Sequence, residues 1–260
     1  MKVREIVNVI EQLAPPAIQD EWDHSGLQVG FPGSETGKVL VCLDVTESIV
    51  EEAATNGCGM IISHHPLIFK ALSQVSDSTY QQRCVVDALA KGIAISSAHT
   101  SLDNAPGGVN HKIAELIGLK DIQWLLPKEG ADAGSGLIGT LPQPERDSEF
   151  LKRLQTVFNV ECLRHSECNG REIKTVALCG GSGAFLMRNA IRQGADCFVT
   201  GEFHYHDYFE NDGVLLAELG HYQSEAFTTD LICNALSAAC PGLEILKTSL
   251  NTNPIHYDAR

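Results

Sequence analysis

Val3, Ile6, Val7, Ile10 and Leu13 fall at helical spacing, so residues 2–13 predict an amphipathic helix that Pro15 and Pro16 close. A loop-like stretch, EWDHSGLQVG (21–30), follows, and then KVLVCLDV (38–45) reads as a short apolar strand. Thr46 as N-cap and Gly57 as stop bound a helix over 46–57. A second apolar strand, 59–63, runs directly into His64-His65-Pro66. A helix over about 79–91 leads to strand 93–98, which ends at His99, and Gly107-Gly108 open a helix over 109–118. Residues 125–170 break the pattern with Pro127, Pro142 and Pro144 around one helix over 147–158, and read as a connecting segment or the edge of a small subdomain. The alternation then restarts. A strand and Gly-rich turn span 172–183, a helix 184–194 and a strand 195–202. A strand over 214–220 ends near His221, and a helix over 222–238 and a strand over 243–249 close the chain.

Short apolar strands alternating with amphipathic helices predict an α/β fold with mainly parallel or mixed sheets. The second half lies on the first without a gap: Cys179, Ala190 and Gly194 each stand 137 positions after Cys42, Ala53 and Gly57. Under that shift His64-His65 coincides with Gly201-Glu202, and each half continues to a strand followed by a His-x-x-x-acid run, His99 to Asp103 and His221 to Glu225. The expectation is two related α/β lobes, 1–124 and 171–260, facing each other across a pseudo-two-fold and joined by 125–170.

Ligands of open parallel sheets collect at the carboxyl ends of strands, where His64, His65, His99, Asp103, His221 and Glu225 all fall. One histidine at such a place is ordinarily a hydrogen-bonded structural residue; four with two carboxylates point to metal. Neighbouring side chains of an extended chain point to opposite sides, so His64 and His65 predict two ions, one per imidazole, with a carboxylate as bridge. His-His-Pro is otherwise a strand end that Pro66 closes. Glu225 lies one helical turn after His221 and can face the same site. The turn CGGSG (179–183) offers N–H groups to an anion, or is only a tight turn with Ser182 capping the next helix. Glu202, His204, His206 and Asp207 are candidates to support the ligands, and Trp22-Asp23 followed by Ser25-Gly26 reads as a loop lining the cleft or as only a buried turn. His24, His111, His165 and His256 have no companions at useful spacing.

Composition trims the choices. Lys plus Arg is 19 and Asp plus Glu is 33, a formal net charge of −14 that argues against broad phosphate-backbone binding. Nine cysteines without a CxxC pair, several inside apolar runs, read as free core thiols of a reducing compartment. The charged amphipathic start and the lack of a run near 20 apolar residues predict a cytoplasmic protein.

The segments WDHSGLQVG (22–30), LDVTESIVEEA (43–53), IISHHPLIF (61–69), AHTSLDNAPGGVN (98–110), ALCGGSGAFL (177–186), VTGEFHYHD (199–207) and GHYQSEA (220–226) resemble the NIF-three-like dinuclear metal-centre proteins, also known as GTP cyclohydrolase 1 type 2 homologs. They run through nearly the whole chain except about 125–170, and SHHP, HTxxD, GGSG and GHxxSE in this order are specific to that family. The resemblance implies a dinuclear centre in which His64 and Asp103 hold one ion, His65 and His221 the other, and Glu225 bridges. It makes His99 a polar neighbour of the centre and implies a toroidal homohexamer, a trimer of dimers. His24 stands where the family usually has Asn, and 125–170 is too short for the domain that some relatives insert.

The resemblance implies a metal-dependent hydrolase that opens the guanine ring of GTP with release of formate, with His99 and Glu225 as catalytic residues. Imidazole and carboxylate donors suit two divalent ions of zinc, manganese, iron or nickel. The small-molecule substrate is then GTP or another nucleotide. The competing expectation is a metal-binding or regulatory scaffold of the same family that turns nothing over. A toroid encircling nucleic acid is disfavoured by the charge.

Overall fold

The apolar runs of the first half build the centre of a five-stranded sheet. In the computed structural model, which describes residues 1–258, helix α1 (Val3–Leu13) precedes β1 (Gly26–Val29) and β2 (Lys38–Cys42). Next come α2 (Glu47–Thr55), β3 (Met60–Ser63), α3 (Tyr80–Ala90), β4 (Ala94–Ser97) and the single turn α4 (Thr100–Asp103). The second sheet draws on α5 (Val109–Ile117), β5 (Lys120–Pro127), β6 (Gly134–Arg146), α6 (Asp147–Val157), β7 (Arg164–His165) and β8 (Glu172–Cys179). It continues through α7 (Met187–Arg192), β9 (Cys197–Thr200), β10 (Leu215–Glu218) and α8 (His221–Glu225); α9 (Thr228–Ala239) and β11 (Glu244–Lys247) follow.

The first sheet has the order β1-β4-β3-β2-β11, with β1 antiparallel and the rest parallel. Every residue of β3 and β4 is buried, which is why their sequences, MIIS and AISS, show no alternation of apolar and polar positions. Leu40, Ile61 and Ile95 share one core with Ile49 and Ala53 of α2 and Cys84 and Ala88 of α3. The hydroxyl of Thr46 accepts from Ile49 N and caps α2, as its sequence predicts. The second sheet has the order β5-β6-β8-β9-β10-β7, parallel across β8, β9 and β10 and antiparallel outside them.

The repeat is visible in the registers. Cys42 lies opposite Ser63 in the first sheet, and Cys179 opposite Thr200 in the second, both pairs related by the shift of 137. The third strands follow a different shift: Ser97 and Glu218, opposite Ser63 and Thr200, are 121 apart. His99 therefore matches Gly220, and His221 matches Thr100. The two His-x-x-x-acid runs are out of step by one residue, His99 preceding α4 and His221 opening α8.

The chain divides differently from the expected boundaries at 124 and 170. One unit comprises Met1–Leu102 and Phe227–Pro254, the other Asp103–Ala226 with the segment from Ile255. Residues 125–170 are no connection: β6, between β5 and β8, lies within them. Pro142 and Pro144 fall where the β6–β8 register breaks between Thr140 and Glu145, because proline cannot donate to the ladder. The helix expected over 222–238 is two, α8 and α9, and the chain changes unit between them. Residues 227–254 belong to the first unit because Ile245 and Leu246 extend its sheet beside Val39 and Leu40 and α9 packs on α1. Cys42, Cys58, Cys84, Cys179, Cys197 and Cys240 are buried and in no disulfide, and Cys162 is exposed. Among the described residues no helix is long and apolar enough to cross a membrane.

Candidate functional site

In the first unit β3 ends at Ser63, and the next two residues leave the strand as a bend. Strand alternation therefore does not separate His64 from His65: their ring centroids are 4.9 Å apart at 44°. The expectation that they point to opposite sides is corrected, and with it the argument for two ions from alternation. Each ring is anchored toward a different neighbouring strand. His64 Nδ1 is 2.8 Å from the carbonyl of Ala98, just past β4, and His65 Nδ1 is 2.7 Å from Oδ1 of Asp44, just past β2. The other Asp44 oxygen accepts the hydroxyl of Thr252 at 2.7 Å. His64 is fully buried and His65 partly so.

His99 completes this histidine group, its ring 5.6 Å from His64 and 5.7 Å from His65. Its Nδ1 is 3.0 Å from Oδ1 of Asp23, a buried carboxylate that also accepts from His24 N, Ser25 Oγ, Thr100 N and Thr100 Oγ1. Burial pushes the Asp23 carboxyl up, but the His99 and Thr100 hydrogen bonds outweigh it and hold it well below the usual carboxylate range. Of the two sequence readings of Trp22-Asp23, Asp23 is the residue that fixes an imidazole. Trp22 is 54% exposed and stands edge-on to His99, with 5.8 Å between centroids.

In the second unit His221 opens α8 and reaches Glu225 one turn later, Nε2 to Oε2 3.2 Å, as the spacing predicts. Its Nδ1 is 3.0 Å from Oε1 of Glu202, whose other oxygen accepts from Ser182 Oγ at 2.6 Å. Burial pushes His221 down, yet the two carboxylates outweigh it and hold the imidazole up to about 11. The same His221 hydrogen bond holds Glu202 down to about 2.

Three N–H groups of the Gly-rich turn are taken up within the protein. Gly180 N donates to Asn110 Oδ1, Gly181 N to Ser224 Oγ and Gly183 N to Thr200 Oγ1. Ser182 makes no cap bond, since its hydroxyl serves Glu202. What the turn provides is room. A Cβ on Gly181, at φ +58°, would collide with Oε1 of Glu225, and one on Gly201 would stand 2.6 Å from the Gly181 carbonyl. Asn110, a residue that the spacing arguments miss, joins the turn to Asp103 by donating from Nδ2 to the Asp103 carbonyl at 2.9 Å. His204 and Asp207 line a cavity beside Glu202 and His221, whereas His206 packs with Tyr205 and Phe209. Of the remaining histidines, His111 packs edge-on to Trp124, His165 bonds the Ser166 carbonyl, and His24 and His256 are exposed.

The family model for Duf34/NIF3 (NGG1p interacting factor 3) matches residues 1–254. The chain is similar to a GTP cyclohydrolase 1 type 2 homolog of Lactococcus lactis subsp. lactis (strain IL1403), 34% identical over 261 residues that span 98% of this chain and 99% of that protein. It is similar to a GTP cyclohydrolase 1 type 2 of Helicobacter pylori (strain ATCC 700392 / 26695), 31% identical over 230 residues, 86% of each. Among solved structures, a hypothetical protein of Staphylococcus aureus matches with a TM-score of 0.91 at 26% identity, over 99% of each chain.

Proposed function

This chain belongs to the Duf34/NIF3 family, and from that membership we propose that it is a metal-dependent hydrolase. The reaction we propose is that of the GTP cyclohydrolase 1 type 2 proteins it resembles: hydrolytic opening of the guanine ring of GTP with release of formate. The metal ligands are His64, His65, Asp103, His221 and Glu225, holding two divalent ions of zinc, manganese, iron or nickel. His64, His65 and Glu225 each offer a donor atom that such an ion takes.

One observation carries the reading. Each of the three proposed ligand histidines has its Nδ1 on a fixed acceptor: the Ala98 carbonyl for His64, Asp44 for His65 and Glu202 for His221. That bond fixes tautomer and ring orientation and makes Nε2 the ligating atom, which is how metal-binding imidazoles are supported. Bound divalent ions supply Lewis-acid polarisation and a nucleophile drawn from water at neutral pH. The chain's own part is to orient and to move protons. Asp23 fixes His99 through Nδ1, so the proton His99 exchanges with substrate is carried on Nε2. Glu225 is proposed as a bridging ligand and catalytic carboxylate, with Gly181 keeping the space beside it open.

The same membership supports a cytoplasmic homohexamer, a trimer of dimers, as the working assembly. The test is formate release from GTP by metal-reconstituted protein. Stoichiometric formate that disappears with Glu225→Ala is the expected result, and no formate from fully loaded protein would remove GTP as the substrate.

A further inference from the structure

The second unit holds a cavity of about 640 Å³, within the range of small-molecule sites, with His221 and Glu202 on its wall. Its chemistry is unsuited to phosphate. Three carboxylates line it, Glu202, Asp207 and Glu218. The one guanidinium among the described lining residues, Arg164, is spent on Glu218 at 2.7 Å. The Glu218 carboxylate is further fixed by Phe203 N and the Tyr208 hydroxyl, so this ion pair is part of the wall. Asp207 accepts from His204 N through Oδ2, which leaves Oδ1 to accept from a ligand. Aromatic side chains face the same space: Phe203, Tyr257 and Phe185, the last 60% exposed. Aromatic faces with hydrogen-bond acceptors, and no unspent cation among the described lining residues, fit a planar ring that carries N–H donors.

We infer that this cavity binds the nitrogen-heterocyclic ring of a purine nucleoside beside His221 and excludes its phosphates. The inference rests on the hydrolase reading for its orientation toward His221 but stands on the cavity for its ligand class. Phosphates of a nucleotide then lie outside the cavity and add nothing to the affinity of metal-free protein.

The test is calorimetric titration of the metal-free full chain with guanosine, GTP and inorganic tripolyphosphate. Guanosine and GTP are expected to bind within about threefold of each other and tripolyphosphate not to bind. Phe185→Ala, a change at an exposed side chain, is expected to weaken guanosine by about tenfold. Phe209→Ala, at a side chain 71% exposed and outside this cavity, is expected to change nothing. Binding of tripolyphosphate in competition with GTP would overturn the inference. So would unchanged guanosine affinity in Phe185→Ala, including the case where that variant alters the assembly on size exclusion and marks a contact between copies. Metal content measured alongside separates the two readings. Protein that takes metal but no guanosine defeats this inference alone, and protein that takes guanosine but no metal defeats the hydrolase alone.

Discussion

Oδ1 of Asp44 accepts the Nδ1 proton of His65 at 2.7 Å while Oδ2 accepts the hydroxyl of Thr252, so the imidazole is held by a carboxylate that is itself held. Glu202, fixed by Ser182, treats His221 in the same way. Asp44→Ala leaves His65 in place but frees its ring. Metal affinity is predicted to fall by about 10–100-fold, read by competition with a chromophoric chelator, with circular dichroism unchanged. Affinity equal to that of the parent protein would show that His65 is not a ligand.

Gly181 combines a left-handed φ of +58° with contact against Glu225. Gly181→Ala adds strain of about 1–2 kcal/mol and displaces the Glu225 carboxylate. The expected result is a folded protein with a lowered melting temperature and weakened metal binding, larger in metal affinity than the stability loss alone explains. Unaltered metal affinity would separate Glu225 from the metal.

His99→Gln keeps a hydrogen-bonding group opposite Asp23 but cannot exchange a proton at neutral pH. Turnover is predicted to fall by about 10²–10⁴-fold with metal content unchanged. Loss of metal instead would make His99 a ligand rather than a proton carrier.

Asp147 supplies a pH test away from the proposed centre. Burial pushes its carboxyl up, but N–H bonds from Ser148, Gly170 and Asn169 outweigh it and hold it below the ordinary carboxylate range. The unfolded chain therefore binds the proton more readily. The stabilisation is complete above the ordinary carboxylate pKa and is lost as pH falls through and below it. Asp147→Ala is predicted to cost about 1–3 kcal/mol near neutral pH, since it strands those three donors. The gap from the parent protein should narrow in urea melts below about pH 4. A gap that does not change with pH would put the role of Asp147 in packing.

Much of this was legible in the sequence because the central strands are buried on both faces and announce themselves as apolar runs. The 137-residue repeat was readable from Cys42 and Cys179, and the paired registers with Ser63 and Thr200 bear it out. The one-residue slip between His99 and His221 was not, because it arises in the third strands, whose shift differs. Long-range pairing hid the rest. Nothing local says that β11 returns to β2, or that proline-bearing β6 sits inside a sheet. Asp44, Asp23 and Asn110 lie 21, 76 and 70 positions from the groups they hold, and only the fold brings them there. Gly201, which matches His64 in the repeat, shows why the halves differ: the Gly181 carbonyl and Ser224 Oγ occupy the space a side chain would need.

Metal stoichiometry tests the central claim most directly. The purified full chain, reconstituted with manganese or zinc and freed of excess by gel filtration, is measured by elemental analysis beside Glu225→Ala and His65→Ala. The account predicts about two ions per chain in the parent protein and a clear loss in both variants. Trace metal in the parent protein, or full loading in both variants, would contradict it.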